Sequence, residues 1–156
     1  METLHSLMMQ AAEALDLDET GKAKEIFREI LERDGNYFPA LYNLGLIYAG
    51  EGNEDEAEKC FLAALETRPE DADLLTELGG ICLRKDRNGE AEEYLHRAEE
   101  LGGCSEVLFN NLGVVCFRKQ EYPEAKKLFR KALEINPDYR EARENTALAN
   151  FYIAML

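Results

Sequence analysis

The side chains that could act as nucleophiles or ligate a metal are too scattered in this sequence to form a recognisable reactive site. Four cysteines are separated by 22, 22 and 12 residues and match no Cys-x-x-Cys metal or redox motif: Cys60, Cys82, Cys104 and Cys116. The two histidines, His5 and His96, have no serine or cysteine partner in a catalytic pattern. We therefore expect no catalytic residue, no metal and no cofactor.

Carboxylates could also act in acid–base catalysis, and glycine-rich loops could bind phosphate. Glu54, Asp55 and Glu56 form one carboxylate cluster, and Glu92 and Glu93 form another. Paired carboxylates can act as general acid and base, but on segments with helical spacing they are more typical of solvated helix faces. No glycine-rich run precedes Lys-Ser or Lys-Thr, so no phosphate-binding loop is indicated. These patterns predict a binding protein rather than an enzyme.

Composition and charge limit the possible partners. The chain has 156 residues, 46% of them hydrophobic, and its 18 basic and 32 acidic residues give a net charge of -14. Such a charge repels a phosphate backbone, which makes nucleic acid an unsuitable partner. No apolar run is long enough to span a membrane, and the N-terminus lacks the basic start and apolar core of a secretory signal. We expect a cytoplasmic protein with reduced thiols.

The same residue types recur along the chain at an interval of 34 residues. This repeat indicates the secondary-structure elements that would position a binding site. The recurring positions are Leu44-Gly45, Leu78-Gly79 and Leu112-Gly113; Ala57, Ala91 and Ala125; Phe61, Leu95 and Phe129; and Pro69, Gly103 and Pro137. A repeat of this regularity indicates that each interval is one supersecondary unit, which buries its apolar side by stacking on its neighbours.

This pattern resembles the tetratricopeptide repeat, whose period and Leu-Gly, Tyr, Ala, Phe and Pro positions it shares. The resemblance implies an all-α fold in which pairs of helices stack into a right-handed α-α superhelix, or solenoid. Four repeats are expected at about residues 4–37, 38–71, 72–105 and 106–139. A capping helix over 140–156 would complete a single domain spanning 1–156.

Three stretches depart from the repeat pattern. Cys82 and Cys116 take the place that Tyr48 holds in its own repeat, and we expect them to be small core residues. Gly102-Gly103 stands where a proline is usual, which predicts a looser joint between helices. The apolar stretch 151–156 leaves three alternatives. The last helix packs on its neighbour, it forms a surface for self-association, or the chain is part of a longer protein.

The resemblance also indicates where a partner would bind. In this family the first helix of each pair lines the concave side of the stack. The residues two before each repeat glycine are then expected to point into the groove: Met9, Asn43, Glu77, Asn111 and Asn145. Asparagine offers a donor and an acceptor, so such a row could bind the main chain of an extended peptide. Alternatively, the asparagines brace the neighbouring helix. Glu77 interrupts the row and favours a basic or donor-bearing group nearby.

Neighbouring positions add apolar contacts and charge to this expected groove. Arg84 and Arg118 could hold a partner carboxylate; alternatively, each closes the C-terminal end of its helix, where the dipole favours cations. The full set of expected partner-binding residues is Tyr42, Asn43, Leu46, Glu77, Arg84, Asn110, Asn111, Val114, Phe117, Arg118 and Asn145. An apolar floor with amides and mixed charge suits a peptide or a helix from another protein.

One function known in this family is disfavoured by the residues present. Repeats that grip the acidic C-termini of heat-shock chaperones use lysines, asparagines and an arginine on successive first helices. The matching positions here hold Met8, Ala12, Asn43, Asp73 and Glu77, so only Asn43 agrees and two positions have the wrong charge. We expect no binding of that carboxylate-clamp type.

The resemblance and the residues together predict a non-enzymatic scaffold or adaptor that binds a partner peptide or helix in its concave groove. Two alternatives stay open. The chain could be a holding chaperone for secreted or assembly subunits, or an accessory segment of a larger enzyme. Self-association through the C-terminal helix is a further possibility that the apolar stretch leaves open.

Overall fold

Helices account for all the regular secondary structure in residues 2–156, which a computed structural model describes. The helices are α1 (Leu4–Asp16), α2 (Thr20–Arg33), α3 (Phe38–Gly50), α4 (Glu54–Thr67), α5 (Ala72–Arg84), α6 (Asn88–Glu100), α7 (Glu106–Arg118), α8 (Tyr122–Ile135) and α9 (Arg140–Ala154). The all-α prediction is confirmed. No helix in this range combines the length and the apolar character that crossing a membrane requires.

The helices form two compact units. The first, Met1–Pro69, contains α1 to α4, and the second, Glu70–Leu156, contains α5 to α9. Within the units, α1, α3, α5 and α7 each pack most extensively against the helix that follows in the chain. The first unit therefore consists of two helix pairs, and the second consists of two pairs followed by α9, as the interval of 34 predicts.

The turn inside each helix pair depends on one residue in the left-handed region. These residues lie at intervals of 34 and have the following φ values: Asp18 59°, Gly52 75°, Asp86 57° and Gln120 65°. The residue after each one donates its N–H back across the turn, as Asn53 does to the carbonyl of Tyr48 at 2.8 Å. This is the Schellman arrangement, which satisfies the last helical carbonyls and ends the first helix of the pair.

A close approach between helices sets the core of the first unit. A methyl group on Gly45 of α3 would lie 2.5 Å from Cε1 of Phe61 on α4. Phe61 is fully buried, and the Tyr42 ring packs against it with centroids 5.9 Å apart. The glycine is required because the aromatic ring occupies the space that a side chain would fill.

The second unit repeats this contact twice. A methyl group on Gly79 would lie 2.6 Å from Cγ of Leu95, and one on Gly113 would lie 2.5 Å from Cε1 of Phe129. Cys82 is fully buried, as expected of a core residue. These contacts fix which side of each first helix faces its second helix.

The last helix packs on its neighbours. Ala142 and Ala149 of α9 are buried, and Ala149 belongs to a cluster with Ala125 and Phe129 of α8. Of the three alternatives for the final stretch, packing on the neighbour is present in the structure. The other side of the helix leaves Phe151 59% exposed.

The Gly102-Gly103 joint is closely packed rather than loose. Gly102 has a φ of +84°, and the N–H of Gly103 donates to the carbonyl of Ala98 at 2.9 Å. A methyl group on Gly103 would lie 2.7 Å from that carbonyl oxygen and 2.9 Å from Cδ2 of Leu108. The two glycines therefore allow α6 to end in a tight turn, which proline could not form because it lacks an N–H.

The contact between Gly113 and Phe129 can be tested by adding one methyl group. We expect Gly113→Ala to lower the free energy of unfolding by about 1–2 kcal/mol, because overpacking exceeds the gain in helix propensity. Gly89→Ala is the matched control, since this helical glycine has nothing within 4 Å of an added methyl group. It should leave stability unchanged or slightly higher. Urea denaturation followed by circular dichroism measures both variants, and equal midpoints would contradict the packing account.

Candidate functional site

The side of α7 that faces away from α8 presents the predicted groove residues of the second unit. Gly113 points at Phe129 of α8. At about 100° per residue, Asn111, Val114 and Arg118 lie on the other side of the helix. Together with the residues 34 positions before and after them, they make up what we call the first-helix face: Glu77, Gly80, Arg84, Asn111, Val114, Arg118, Asn145, Leu148 and Tyr152.

Gly80 lies beside two polar side chains of this face. A methyl group on Gly80 would lie 3.2 Å from Nδ2 of Asn111 and 3.4 Å from Nη1 of Arg84. The amide on α7 and the guanidinium on α5 thus meet over a backbone without a side chain. Sequence reasoning did not select Gly80. The available signal was the doubled glycine, Gly79-Gly80, where the second and fourth repeats have a single glycine.

Glu77 is a half-buried carboxylate on the same helix as Arg84. Burial raises the pKa of Glu77, Asp73 raises it further, and the positive charge of Arg84 lowers it. The net upward shift means that burial and Asp73 outweigh the arginine. A hydrogen-bond donor or a cation brought to this point would stabilise the charged form of Glu77.

The predicted asparagine row divides into residues with different roles. Nδ2 of Asn145 on α9 donates to Oδ1 of Asn110 on α7 at 2.9 Å, and Asn110 is only 5% exposed. Nδ2 of Asn43 donates to the carbonyl of Pro39 in its own helix at 2.7 Å. Within residues 2–156, the half-buried Asn111 amide has no hydrogen-bond partner. Asn145 therefore braces a neighbouring helix, whereas Asn111 keeps its donors and acceptor available.

In the first unit, α3 carries three of the predicted residues. Tyr42 is half-buried, and its ring stacks on Phe38 with centroids 5.7 Å apart. Leu46 is 37% exposed and Asn43 is half-buried. Tyr42 therefore contributes to packing inside the unit, while Leu46 offers accessible apolar surface.

An aromatic cluster lies where α7 and α9 end and α8 begins. The Phe117 ring meets Tyr122 and Tyr152 edge-on, with centroids 5.1 and 5.3 Å away, and the two tyrosines stack at 4.9 Å. Phe117 is half-buried, whereas Tyr152 is 39% exposed. Phe117 thus supports the exposed Tyr152, which is not among the partner-binding residues expected from the sequence.

Arg118 is engaged within its own unit. Its Nη1 lies 3.2 Å from Oδ1 of Asp86 and also bonds the side chain of Asn88, at the turn and helix start that precede α7. The arginine is exposed, so this pairing contributes little to stability. A partner carboxylate would compete with Asp86 for the guanidinium.

The site combines groups that can hydrogen-bond with side chains that offer apolar contact. The Asn111 amide and the Arg84 guanidinium lie near Gly80, and Val114, Leu148 and Tyr152 add apolar surface to the first-helix face. Residues 2–156 contain no group of three His, Cys, Asp or Glu side chains arranged to hold a metal ion. The arrangement can hydrogen-bond and pack against a ligand.

Comparison with known proteins identifies the repeat. The tetratricopeptide repeat model matches residues 38–71 and 107–139. These two segments match the tetratricopeptide repeat, and the resemblance inferred from the sequence is confirmed. Comparison with curated proteins gives no match.

Solved structures show the same fold. The crystal structure of MamA protein is 20% identical, with a TM-score of 0.79 over 97% of this chain and 83% of that one. YrrB, described as a tetratricopeptide repeat protein with an unusual peptide-binding site, is 24% identical, with a TM-score of 0.75 over 97% and 78%. The first such domain of Spaghetti (RPAP3), bound to the HSP90 peptide SRMEEVD, is 25% identical, with a TM-score of 0.67 over 78% and 96%. The helical-repeat solenoid class predicted from the sequence is thereby confirmed.

Asn111 and Asn145 hold the same repeat position but have different roles, and replacing each of them by alanine in turn can separate these roles. We expect Asn145→Ala to lower the free energy of unfolding by about 1–2 kcal/mol, because the buried Oδ1 of Asn110 loses its donor. Asn111→Ala should change stability by less than about 0.5 kcal/mol. Urea denaturation of both variants provides the comparison. A larger loss for Asn111→Ala than for Asn145→Ala would contradict this assignment.

Proposed function

We propose that this protein is a non-enzymatic interaction module that binds a segment of a partner polypeptide, extended or helical, on its first-helix face. The observation that carries the proposal is the half-buried Asn111 amide beside Gly80, which has no hydrogen-bond partner within residues 2–156. A half-buried amide without a protein partner depends on water, and a main-chain N–H and C=O of a partner can replace that water.

Apolar side chains of the first-helix face supply contact area. Val114 is half-buried, Leu148 is 45% exposed and Tyr152 is 39% exposed. A polypeptide segment whose main chain bonds to Asn111 would cover these side chains with one or two of its own apolar residues. Interfaces of this kind gain most from a few aromatic and apolar anchors, with the polar groups fixing the orientation.

The first unit carries related groups on α3. Leu46 is accessible and Asn43 is half-buried, with one of its two Nδ2 hydrogens used by the carbonyl of Pro39. We assign these residues to contact with the partner as well. Tyr42 has a supporting role, because its ring is held between Phe38 and Phe61.

Similar structures support a polypeptide as the class of ligand. YrrB is described as having a peptide-binding site, and the Spaghetti domain is bound to a peptide. The charge of this chain, -14, favours a partner segment that is neutral or basic. Glu77 adds a half-buried carboxylate to the face, which supports the same preference.

The proposal is tested by selecting peptides from a displayed random library on the immobilised protein, and then measuring their affinity by fluorescence polarisation. Asn111→Ala should weaken binding about fivefold, and the combination with Leu148→Ala about 30-fold, because a hydrogen bond and an apolar contact are lost. Lys127→Ala is the control, since this lysine is exposed on α8. Selected peptides whose affinity is unchanged by both face variants would refute the site.

A second measurement tests the charge preference. We expect the acidic HSP90 peptide SRMEEVD, which the Spaghetti domain binds, to show no saturable binding to this protein at micromolar concentration. The reason is repulsion, because Asp73 and Glu77 of α5 stand where cations would be needed. Fluorescence polarisation with the Spaghetti domain as a positive control decides the matter. Micromolar affinity for this protein would show that the charge argument is wrong.

A further inference from the structure

A cavity of about 280 Å³ opens between α6 and α8, with α7 as its floor. Three stripes of side chains at helical spacing meet there. On α6, the stripe consists of Glu92, His96 and Glu99, which lie on one side of the helix because they are four and three residues apart. This cavity takes no part in the first-helix face, whose residues lie on a different side of α7.

The floor of the cavity is apolar. Leu112 and Val115 of α7 are 3% and 4% exposed, and Leu128 of α8 is half-buried beside them. Burial, followed by Glu121 and Glu124, raises the pKa of the Cys116 thiol to about 11. The thiol is therefore neutral at pH 7 and belongs with the apolar floor.

The rim of the cavity is negatively charged. Glu92, Glu99, Glu121 and Glu124 supply four carboxylates, and the cavity contains one ammonium, that of Lys119. With His96 neutral, the lining has a net charge of -3, which is four negative charges and one positive. Outside the lining, exposed Lys127 bonds to Glu124 at 2.9 Å, and on α6 the imidazole of His96 lies 3.5 Å from Glu99.

The rim already binds one ammonium group from the lining, that of Lys119. Its ammonium bonds to a carboxylate oxygen of Glu92, and this bond raises the pKa of Lys119. With the bond between Lys127 and Glu124, two of the four rim carboxylates are thus paired with lysines of the chain. Within residues 2–156, Glu99 and Glu121 have no bond to a lysine or an arginine; Glu99 lies 3.5 Å from the His96 imidazole, and the charge of Lys119 acts on Glu121 from a distance.

We propose that this cavity between α6 and α8 is a second docking site, which receives a lysine or arginine side chain from a partner protein. The aliphatic stem of such a side chain would lie on Leu112, Val115 and Leu128, and its charged end would reach the rim carboxylates. Lysine and arginine bury their stems against apolar surface in this way while the charge stays near water. Charge complementarity selects a cation, and the apolar floor selects one with a hydrocarbon stem.

The test uses the full chain, labelled with ¹⁵N, and a capped heptapeptide with lysine at its centre between two leucines. We expect addition of the peptide to shift the NMR resonances of the backbone amides of Val115, Cys116 and Leu128. The same peptide with norleucine in place of lysine should shift them much less. Equal shifts from the two peptides, or no shift at these amides with the lysine peptide, would overturn the proposal.

Two double variants with the same change in net charge distinguish binding in the cavity from a general effect of the protein's net charge. The double variant Glu99→Gln with Glu124→Gln lacks two rim carboxylates. It should bind the lysine peptide about fivefold more weakly. Glu100→Gln with Glu134→Gln removes two exposed carboxylates of α6 and α8 that do not line the cavity, and should leave the affinity nearly unchanged. Equal weakening by the two pairs would contradict a specific site.

A small polyamine shares the cationic chemistry of the peptide and provides the final comparison. Spermidine has no peptide backbone or neighbouring leucine, so we expect it to bind more weakly than the lysine peptide. Tighter binding of spermidine would contradict a protein side chain as the occupant. Because none of these variants lies on the first-helix face, failure here leaves the proposed function unaffected.

Discussion

The contact between a glycine on each first helix and a large side chain on its second helix is the constraint on which the structure depends. It occurs between Gly45 and Phe61, between Gly79 and Leu95, and between Gly113 and Phe129. Each of these glycines has no room for even a methyl group, because the buried ring or leucine fills the space. The contact brings two backbones close together and fixes the rotation of each first helix about its own axis.

A fixed rotation decides which residues are left for binding. When Gly113 faces α8, helical geometry turns Asn111, Val114 and Arg118 to a different side, while Leu112, Val115 and Cys116 face the space between α6 and α8. The first group mixes an amide with apolar surface and a cation, whereas the second is apolar under a ring of carboxylates. One helix thus contributes to two surfaces with different ligand preferences, and the glycine contact keeps them apart.

Most of the fold could be predicted from the sequence because it depends on local patterns and on their period. The interval of 34 indicates the helix pairs, and the Leu-Gly positions mark the close contacts. The role of individual polar residues could not be predicted in the same way. Asn145 and Asn111 hold equivalent repeat positions, yet one bonds to Asn110 on a neighbouring helix and the other has no protein partner. That difference depends on a residue far away in sequence, which no repeat pattern specifies.

A crystal structure of this protein with a selected peptide would test the central claim most directly, which is that the glycine contacts leave the first-helix face available for a partner polypeptide. The account predicts peptide density along α5, α7 and α9, with the Asn111 amide hydrogen-bonded to the peptide main chain and Val114 and Leu148 in contact with its side chains. A peptide held elsewhere, with Asn111 still exposed to solvent, would contradict it.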